Sequence, residues 1–508
     1  MEKTAQCRSL LAQTIASLAK DFNLILSGIA LSIPTIAIPE LTDKEKGTMS
    51  YLEASWFASM VPLFLVIGTL LSGFTAAYMG RKRAMLAATV PHMVGMVLLC
   101  FVRGVVPDFV GISLLGFGMG LGESAISTYI SETSEARYRG MLLAIASIMV
   151  QLATLVIFAL GSMFTWRTTV LFVLGVPYFT VVIIAIVPEA PLWLISKNRN
   201  DDALKTLQWL RGWTTPEQVN SEFRQMQLQY DVSKACENCI GNGKTSSCTH
   251  NDKRGLKKLG EIFAWRNFAV FKIVIMLFLI NHLSGAFPMR PFIIQILRAY
   301  GVSIDEYLAT VVIGAASVVG KILSVVAIKM FGKRVVGMTA LTATFLSLLG
   351  LALYANLRFP SNWMSFRHEI PDTISTSIIP LLLFTLYYFS HNFGIESMPF
   401  IALCEMFPFR NRCMCTSLSI AIGQLINFAV TKSYIYLETG LTLAGVMWFF
   451  ASVCLIGIFL VYFFMPESEG VSMQQIELFF TDKKRKITDV NIKEFMRKTE
   501  ELKENTYL

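Results

Sequence analysis

Twelve apolar stretches, each long enough to cross a bilayer as a helix, leave this chain few folds to choose from. They run at roughly 22–39, 54–79, 84–102, 108–130, 141–163, 169–187, 269–297, 307–330, 335–355, 377–404, 414–436 and 441–465. A hydrocarbon core about 30 Å thick takes about 20 predominantly apolar residues per helix. Inside it every backbone N–H and C=O has to be paired within the protein, so helices are the expected element. Most connections are short, which makes successive spans antiparallel neighbours. Composition agrees: 54% of the 508 residues are hydrophobic, 16% are charged and mean hydropathy is +0.56, far more apolar than a soluble chain of this length.

The charges that interrupt these stretches come twice. The first half reads Gly80-Arg81-Lys82, then Glu132 and Arg139, then Pro188-Glu189; the second reads Gly332-Lys333-Arg334, then Glu405 and Arg412, then Pro466-Glu467. Glu132 and Arg139 recur 273 residues later as Glu405 and Arg412. Duplication at half-chain scale predicts an all-α membrane protein of two six-helix bundles, an arrangement typical of transporters. The expected units are an N-terminal bundle (1–195), a polar linker (196–266), a C-terminal bundle (267–466) and a tail (467–508).

Net charge is +9, but its placement carries more information than its sign. Arg81, Lys82, Arg83, Arg137, Arg139, Lys329, Lys333, Arg334, Arg410 and Arg412 all fall on one side of a twelve-span layout. The positive-inside rule makes that side cytoplasmic, with both termini there, and the plasma membrane is the expected location. The excess charge therefore reads as topology and not as a nucleic-acid surface. Arg8 and Lys20 precede the first apolar run, which is read as a span and not as a cleaved signal.

Within the linker, Ala203, Leu204, Leu207 and Leu210 mark one face of a cytoplasmic amphipathic helix lying against the bundle. A Ser-x-x-Gln capping box at Ser472 opens a second amphipathic stretch in the tail, followed by the basic run from Lys483 to Lys486. Cys236, Cys239, Cys248 and His250 have metal-ligand spacing in a polar loop and form a weak zinc candidate. No resident metal or other cofactor is expected. Pro288 and Pro291 flank Arg290 and predict a broken helix lining a cavity.

On these motifs the chain resembles the sugar porter family of the major facilitator superfamily. The resemblance rests on GFTAAYMGRK (73–82), GFGMG (116–120), YISE (129–132) with Arg139-Gly140, PEAPLWL (188–194), LQWLRG (207–212), HLSG (282–285), MPF (398–400), CEMFP (404–408) with Arg412, and PESEG (466–470). The LQWLRG stretch with its cysteine-bearing loop is similar to the facilitated trehalose carriers of insects. The resemblance implies a major facilitator fold in which Arg81, Glu132, Arg139, Glu189, Lys333, Arg334, Glu405, Arg412 and Glu467 latch the cytoplasmic ends together. Charge-assisted hydrogen bonds of about 1.5–3 kcal/mol each would suffice to bias such a two-state equilibrium. The latch is incomplete, because two positions where the family carries Asp-Arg hold Ala77 and Tyr78, and the matching acid is Lys329.

The sugar site implied by the resemblance is thinned. Where the family carries Gln-Gln and Asn in span seven this chain has Asn281, His282 and Phe287; Ser147 replaces a Gln in span five, with Gln151 one turn on. Phe400 replaces a Trp in span ten, Gly423 replaces one Asn of span eleven, and Asn427 remains. Ser317 in span eight completes the candidate set. Ionisable groups inside spans are costly and read as functional by default; here they are Glu123, Arg290 and Glu396, with Arg290 the expected partner of either acid. Proton-coupled members of the family the chain resembles often carry an Asp in span one; here Leu24 to Pro39 has no acid, so the resemblance implies facilitated diffusion over proton symport.

The expected function is alternating-access transport of trehalose or a hexose by a monomer in the lipid bilayer. Two alternatives stand beside it: a non-transporting sugar sensor, and a carrier of another polar or charged solute, proton-coupled in one version. An enzyme is not expected, since the sequence has no Walker, His-Glu-x-x-His or nucleophile-elbow motif.

Overall fold

A computed structural model describes residues 2–43, 47–234, 265–360, 362–366, 376–407, 412–467 and 479–480. The zinc candidate at Cys236, Cys239, Cys248 and His250, the capping box at Ser472 and the basic run from Lys483 lie outside them. Among the described residues no group of three His, Cys, Asp or Glu is placed to hold a metal.

The described chain is helical apart from its connections, with an isolated bridge between Val302 and Ser377. In the first half α1 (Glu2–Leu41), α2 (Tyr51–Met79), α3 (Arg81–Phe101), α4 (Val105–Thr133) and α5 (Ala136–Gly161) each cover one expected span, while α6 (Trp166–Val173) and α7 (Gly175–Ile186) share the sixth. Three helices then follow: α8 (Pro191–Ser196), α9 (Asn200–Leu210) and α10 (Pro216–Lys234). The α9 face carrying Ala203, Leu207 and Leu210 is buried, as its amphipathic pattern predicts.

The second half begins with α11 (Trp265–Leu283), a short α12 (Ala286–Met289), a 3-10 turn at Arg290–Phe292 and α13 (Ile293–Ala299), together forming span seven. Pro288 and Pro291 supply no backbone N–H, so the helix changes pitch where they stand. Next come α14 (Glu306–Phe331) and α15 (Lys333–Arg358). Span ten is also broken, into α16 (Ile379–Phe393), a 3-10 turn at Ile395–Ser397 and α17 (Met398–Met406). The last two spans run together as α18 (Arg412–Phe464), interrupted only at Thr442, where φ is +67°.

Nine described segments are long and apolar enough to cross a membrane, and one of them, Met414–Phe464, covers two expected spans. A shorter apolar helix, Ile145–Gly161, and the divided Ile379–Met406 cover the other two. The first helix differs most from expectation, since it starts near Glu2 and not near residue 22. Its polar residues find partners that let it project beyond the apolar zone. Ser9 and Gln13 donate to Glu135 Oε1 at 2.7 and 2.8 Å, and Lys20 donates to Asp21 at 2.5 Å and to the Leu142 carbonyl at 3.2 Å.

Packing divides into three cores. One, with Ala16, Met85, Tyr129, Trp193 and Leu210, belongs to the first half at the end carrying Arg81. A second, with Val270, Phe278, Leu403, Phe407 and Met465, belongs to the second half at the end carrying Lys333. The third and largest lies toward the opposite end and draws on both halves, including Ile33, Phe57 and Ile157 from one and Phe292, Ile313 and Tyr434 from the other. Ser55 donates to the Lys432 carbonyl at 3.0 Å there, and the Lys432 ammonium lies 4.1 Å from the Trp56 ring centroid. The halves are therefore joined by apolar packing at one end and keep separate cores at the basic end.

Candidate functional site

The breaks in spans seven and ten put irregular backbone beside α5 and α14, and Arg290, Lys321 and Glu396 gather there. Glu396, in the 3-10 turn of span ten, accepts from Lys321 Nζ of α14 at 2.9 Å. Lys321 also donates to Ser397 Oγ at 2.9 Å. From the other half, the Gln151 amide of α5 donates to both Glu396 oxygens at 3.1 Å, while its own oxygen accepts from Arg290 Nη2 at 3.3 Å. Arg290 Nη2 also reaches Thr154 Oγ1 at 3.5 Å, and the Arg290 carbonyl accepts from Thr35 Oγ1 of α1 at 3.1 Å.

One amide thus bridges the two halves through charged partners. The pairing differs from the sequence expectation, because Glu396 takes Lys321 as its ion-pair partner and Arg290 binds neutral acceptors. Glu123, on α4, is half-buried and has no ion pair among the described residues. Lys321 was open to detection as a lone basic residue in an otherwise apolar run, yet sequence reasoning did not single it out.

Next to this cluster stands a layer of aromatic rings with polar side chains buried behind it. His282 stacks on Phe278 at 5.9 Å between centroids and meets Phe287 edge-on at 4.9 Å. Phe287 in turn lies 5.8 Å from His391, and Phe278 lies 5.7 Å from Phe400. Both polar atoms of Asn281, both ring nitrogens of His282 and Nε2 of His391 are buried without a hydrogen-bond partner among the described residues. An unpaired buried polar group costs about 1–3 kcal/mol, so such a concentration marks a place where another molecule can supply the partner.

Two of the remaining sequence candidates, Asn427 and Ser317, bond apart from the Gln151–Glu396 cluster. Asn427 donates to Gln424 at 3.1 Å and accepts from Thr431 at 3.2 Å, and Ser317 returns its hydroxyl to the Ile313 carbonyl at 3.0 Å. Ser147 is half-buried on α5, one turn before Gln151.

At the basic end, the duplicated charges form two like clusters, each within its own half. Arg81 donates through Nε and Nη2 to Glu132 Oε1 at 3.1 and 2.8 Å, and Glu189 accepts from the backbone N–H of Arg81 at 2.8 Å and Lys82 at 2.9 Å. In the second half Lys333 Nζ donates to Glu405 at 2.5 and 2.6 Å, and Glu467 accepts from the Arg334 N–H at 3.2 Å. Lys82 Nζ donates to the Ala185 carbonyl at 2.8 Å, and Arg334 Nη2 likewise donates to the Tyr462 carbonyl. The Arg139 and Arg412 side chains lie outside the described residues.

Solved proteins share this fold. A structure of the xylose transporter XylE from E. coli, in a partially occluded inward open conformation, superposes with a TM-score of 0.69 at 16% identity, covering 91% of this chain and 99% of that one. The proton:xylose symporter XylE bound to 6-bromo-6-deoxy-D-glucose gives 0.67 at 16% identity over 94% and 100%. Among curated proteins, the facilitated trehalose transporter Tret1 of Bombyx mori is 27% identical over 86% of this chain and 81% of its own length. Tret1 of Polypedilum vanderplanki is 25% identical over 92% and 90%. The family described as sugar (and other) transporter matches residues 10–480, and with nearly the whole membrane region inside that match, the chain belongs to this transporter family.

Proposed function

We propose that the protein carries a sugar, trehalose or a hexose, across the plasma membrane by facilitated diffusion, working as a monomer by alternating access. The observation that carries this reading is the Gln151 amide, which ties α5 of one half to Glu396 and Arg290 of the other beside a layer of unpaired amide and imidazole groups. Sugar hydroxyls need neutral donors and acceptors of that kind, and a solute competing for Gln151 acts on the contact between the halves. The names of the insect relatives favour trehalose and uncoupled movement.

The basic end is assigned to the cytoplasm with both termini, on the distribution of Lys and Arg. Separate cores there and a shared core at the other end then correspond to an inward-facing arrangement. In the opposite state Arg139 and Arg412 would bring the clusters of Arg81, Glu132 and Glu189 and of Lys333, Arg334, Glu405 and Glu467 together across the halves. Residues 1–195 and 267–466 are the moving bundles, 196–266 the linker between them and 467–508 the tail.

Flux of radiolabelled trehalose and glucose into proteoliposomes tests this reading, with and without a pH gradient. Saturable flux that the gradient does not drive uphill is expected. Concentrative uptake down an inward proton gradient overturns facilitated diffusion, and no saturable flux of any sugar, neutral or acidic, overturns the carrier.

A further inference from the structure

We propose that the central site takes a sugar bearing a carboxylate, of the uronate or aldonate class, with Arg290 as the counter-charge. This rests on the reading of the chain as a sugar carrier and narrows its cargo. The argument begins with charge balance: the cluster has two cations, Arg290 and Lys321, and one carboxylate, Glu396. Lys321 is committed to Glu396 and Ser397, both at 2.9 Å. The Glu396 oxygens are further occupied by Gln151.

Arg290 lies within electrostatic reach of Glu396 but makes no direct bond to a carboxylate. Its guanidinium meets only neutral oxygens, on Gln151 at 3.3 Å and Thr154 at 3.5 Å, and both through Nη2. Nε and Nη1 have no hydrogen bond among the described residues, and the residue is half-buried. A guanidinium at membrane depth is costly unless it is paired or faces a water-filled cavity. Its planar fork matches a carboxylate through two parallel bonds, a match that an ammonium does not offer.

Charge alone would admit any small anion; the surroundings narrow the class. Thr154 and Ser397 stand beside the cations as neutral hydroxyl groups, and Asn281, His282 and His391 hold unpaired polar atoms behind Phe287. A polyhydroxylated anion uses both sets.

The test is flux of D-glucuronate and D-glucose into proteoliposomes holding the full-length protein, in chloride and in chloride-free buffer. Saturable glucuronate flux that competes with glucose is expected. In Arg290→Gln, the ratio of glucuronate to glucose flux should fall about 10- to 100-fold, the equivalent of one lost charge-assisted contact. Glu396→Gln, which removes the competing carboxylate, should move that ratio the other way, so a folded variant reports even if Arg290→Gln does not reconstitute. Glucose or trehalose flux with glucuronate neither carried nor inhibitory overturns the inference and leaves the carrier reading standing. Glucose flux stimulated by chloride with glucuronate inert also overturns it, giving Arg290 a small inorganic anion. If neither neutral nor acidic sugar moves, both fall.

Discussion

The two clusters at the basic end follow one plan with different parts. Each has a glycine at positive φ, Gly80 at +99° and Gly332 at +81°, placed immediately before a helix whose first N–H groups face a carboxylate. Backbone at these angles is open almost only to glycine, and the exposed N–H groups of a helix start favour an anion. What varies is the grip. Glu189 accepts from the backbone N–H groups of Arg81, Lys82 and Ala190 and Glu467 from that of Arg334, while Arg81 uses two nitrogens on Glu132 where Lys333 uses a single ammonium on Glu405. The fixed element is the glycine with its carboxylate; the cation is exchangeable.

The sharpest way to break this comparison is to give each glycine a Cβ. At Gly80 it would stand 2.4 Å from Glu189 Oε2, and at Gly332 3.0 Å from Glu467 Oε2. Backbone strain of about 1–3 kcal/mol applies at both, so Gly80→Ala and Gly332→Ala both lower the thermal unfolding midpoint in detergent, the first by more. Equal falls would show that the carboxylates simply move aside. Smaller effects come from the acids: Glu189→Gln and Glu467→Gln each lose charge assistance on the bonds to the helix start, at about 1.5–3 kcal/mol. No loss from either variant in the same unfolding measurement would contradict the part given to the carboxylates. The smallest effect belongs to the cation exchange. Arg81→Lys, which gives the first half the chemistry of the second, costs under about 1 kcal/mol, and Lys333→Arg is close to neutral; a large loss from Lys333→Arg would mean that the second cluster has no room for a guanidinium.

The helical framework was legible because hydropathy is a local signal and the bilayer sets its length. The break at Arg290 was legible too, since Pro288 and Pro291 announce it, whereas the break at Ile395–Ser397 has only Gly394 and Pro399 at its borders. Partners were harder to read. Arg290, Glu396 and Gln151 were each recognised as candidates, but which of them meet depends on how α5 lies against span ten, and no local pattern encodes that. Lys321 escaped for a related reason, as a single charge in α14 reveals its purpose only once Glu396 is beside it. The start of α1 near Glu2 was missed because Gln13 and Lys20 look like solvent-exposed residues until Glu135, Asp21 and the Leu142 carbonyl are packed against them.

The division of the apolar packing into one joint core and two private ones has a mechanical consequence. If the halves tilt so that the joint core opens and the private ones merge, the two ends of the molecule swing widely in opposite directions. Between them lies a zone of little displacement, as at the fulcrum of a lever. Gln151 and Glu396 occupy that zone, so a solute held there stays almost still in space while the way out changes sides around it.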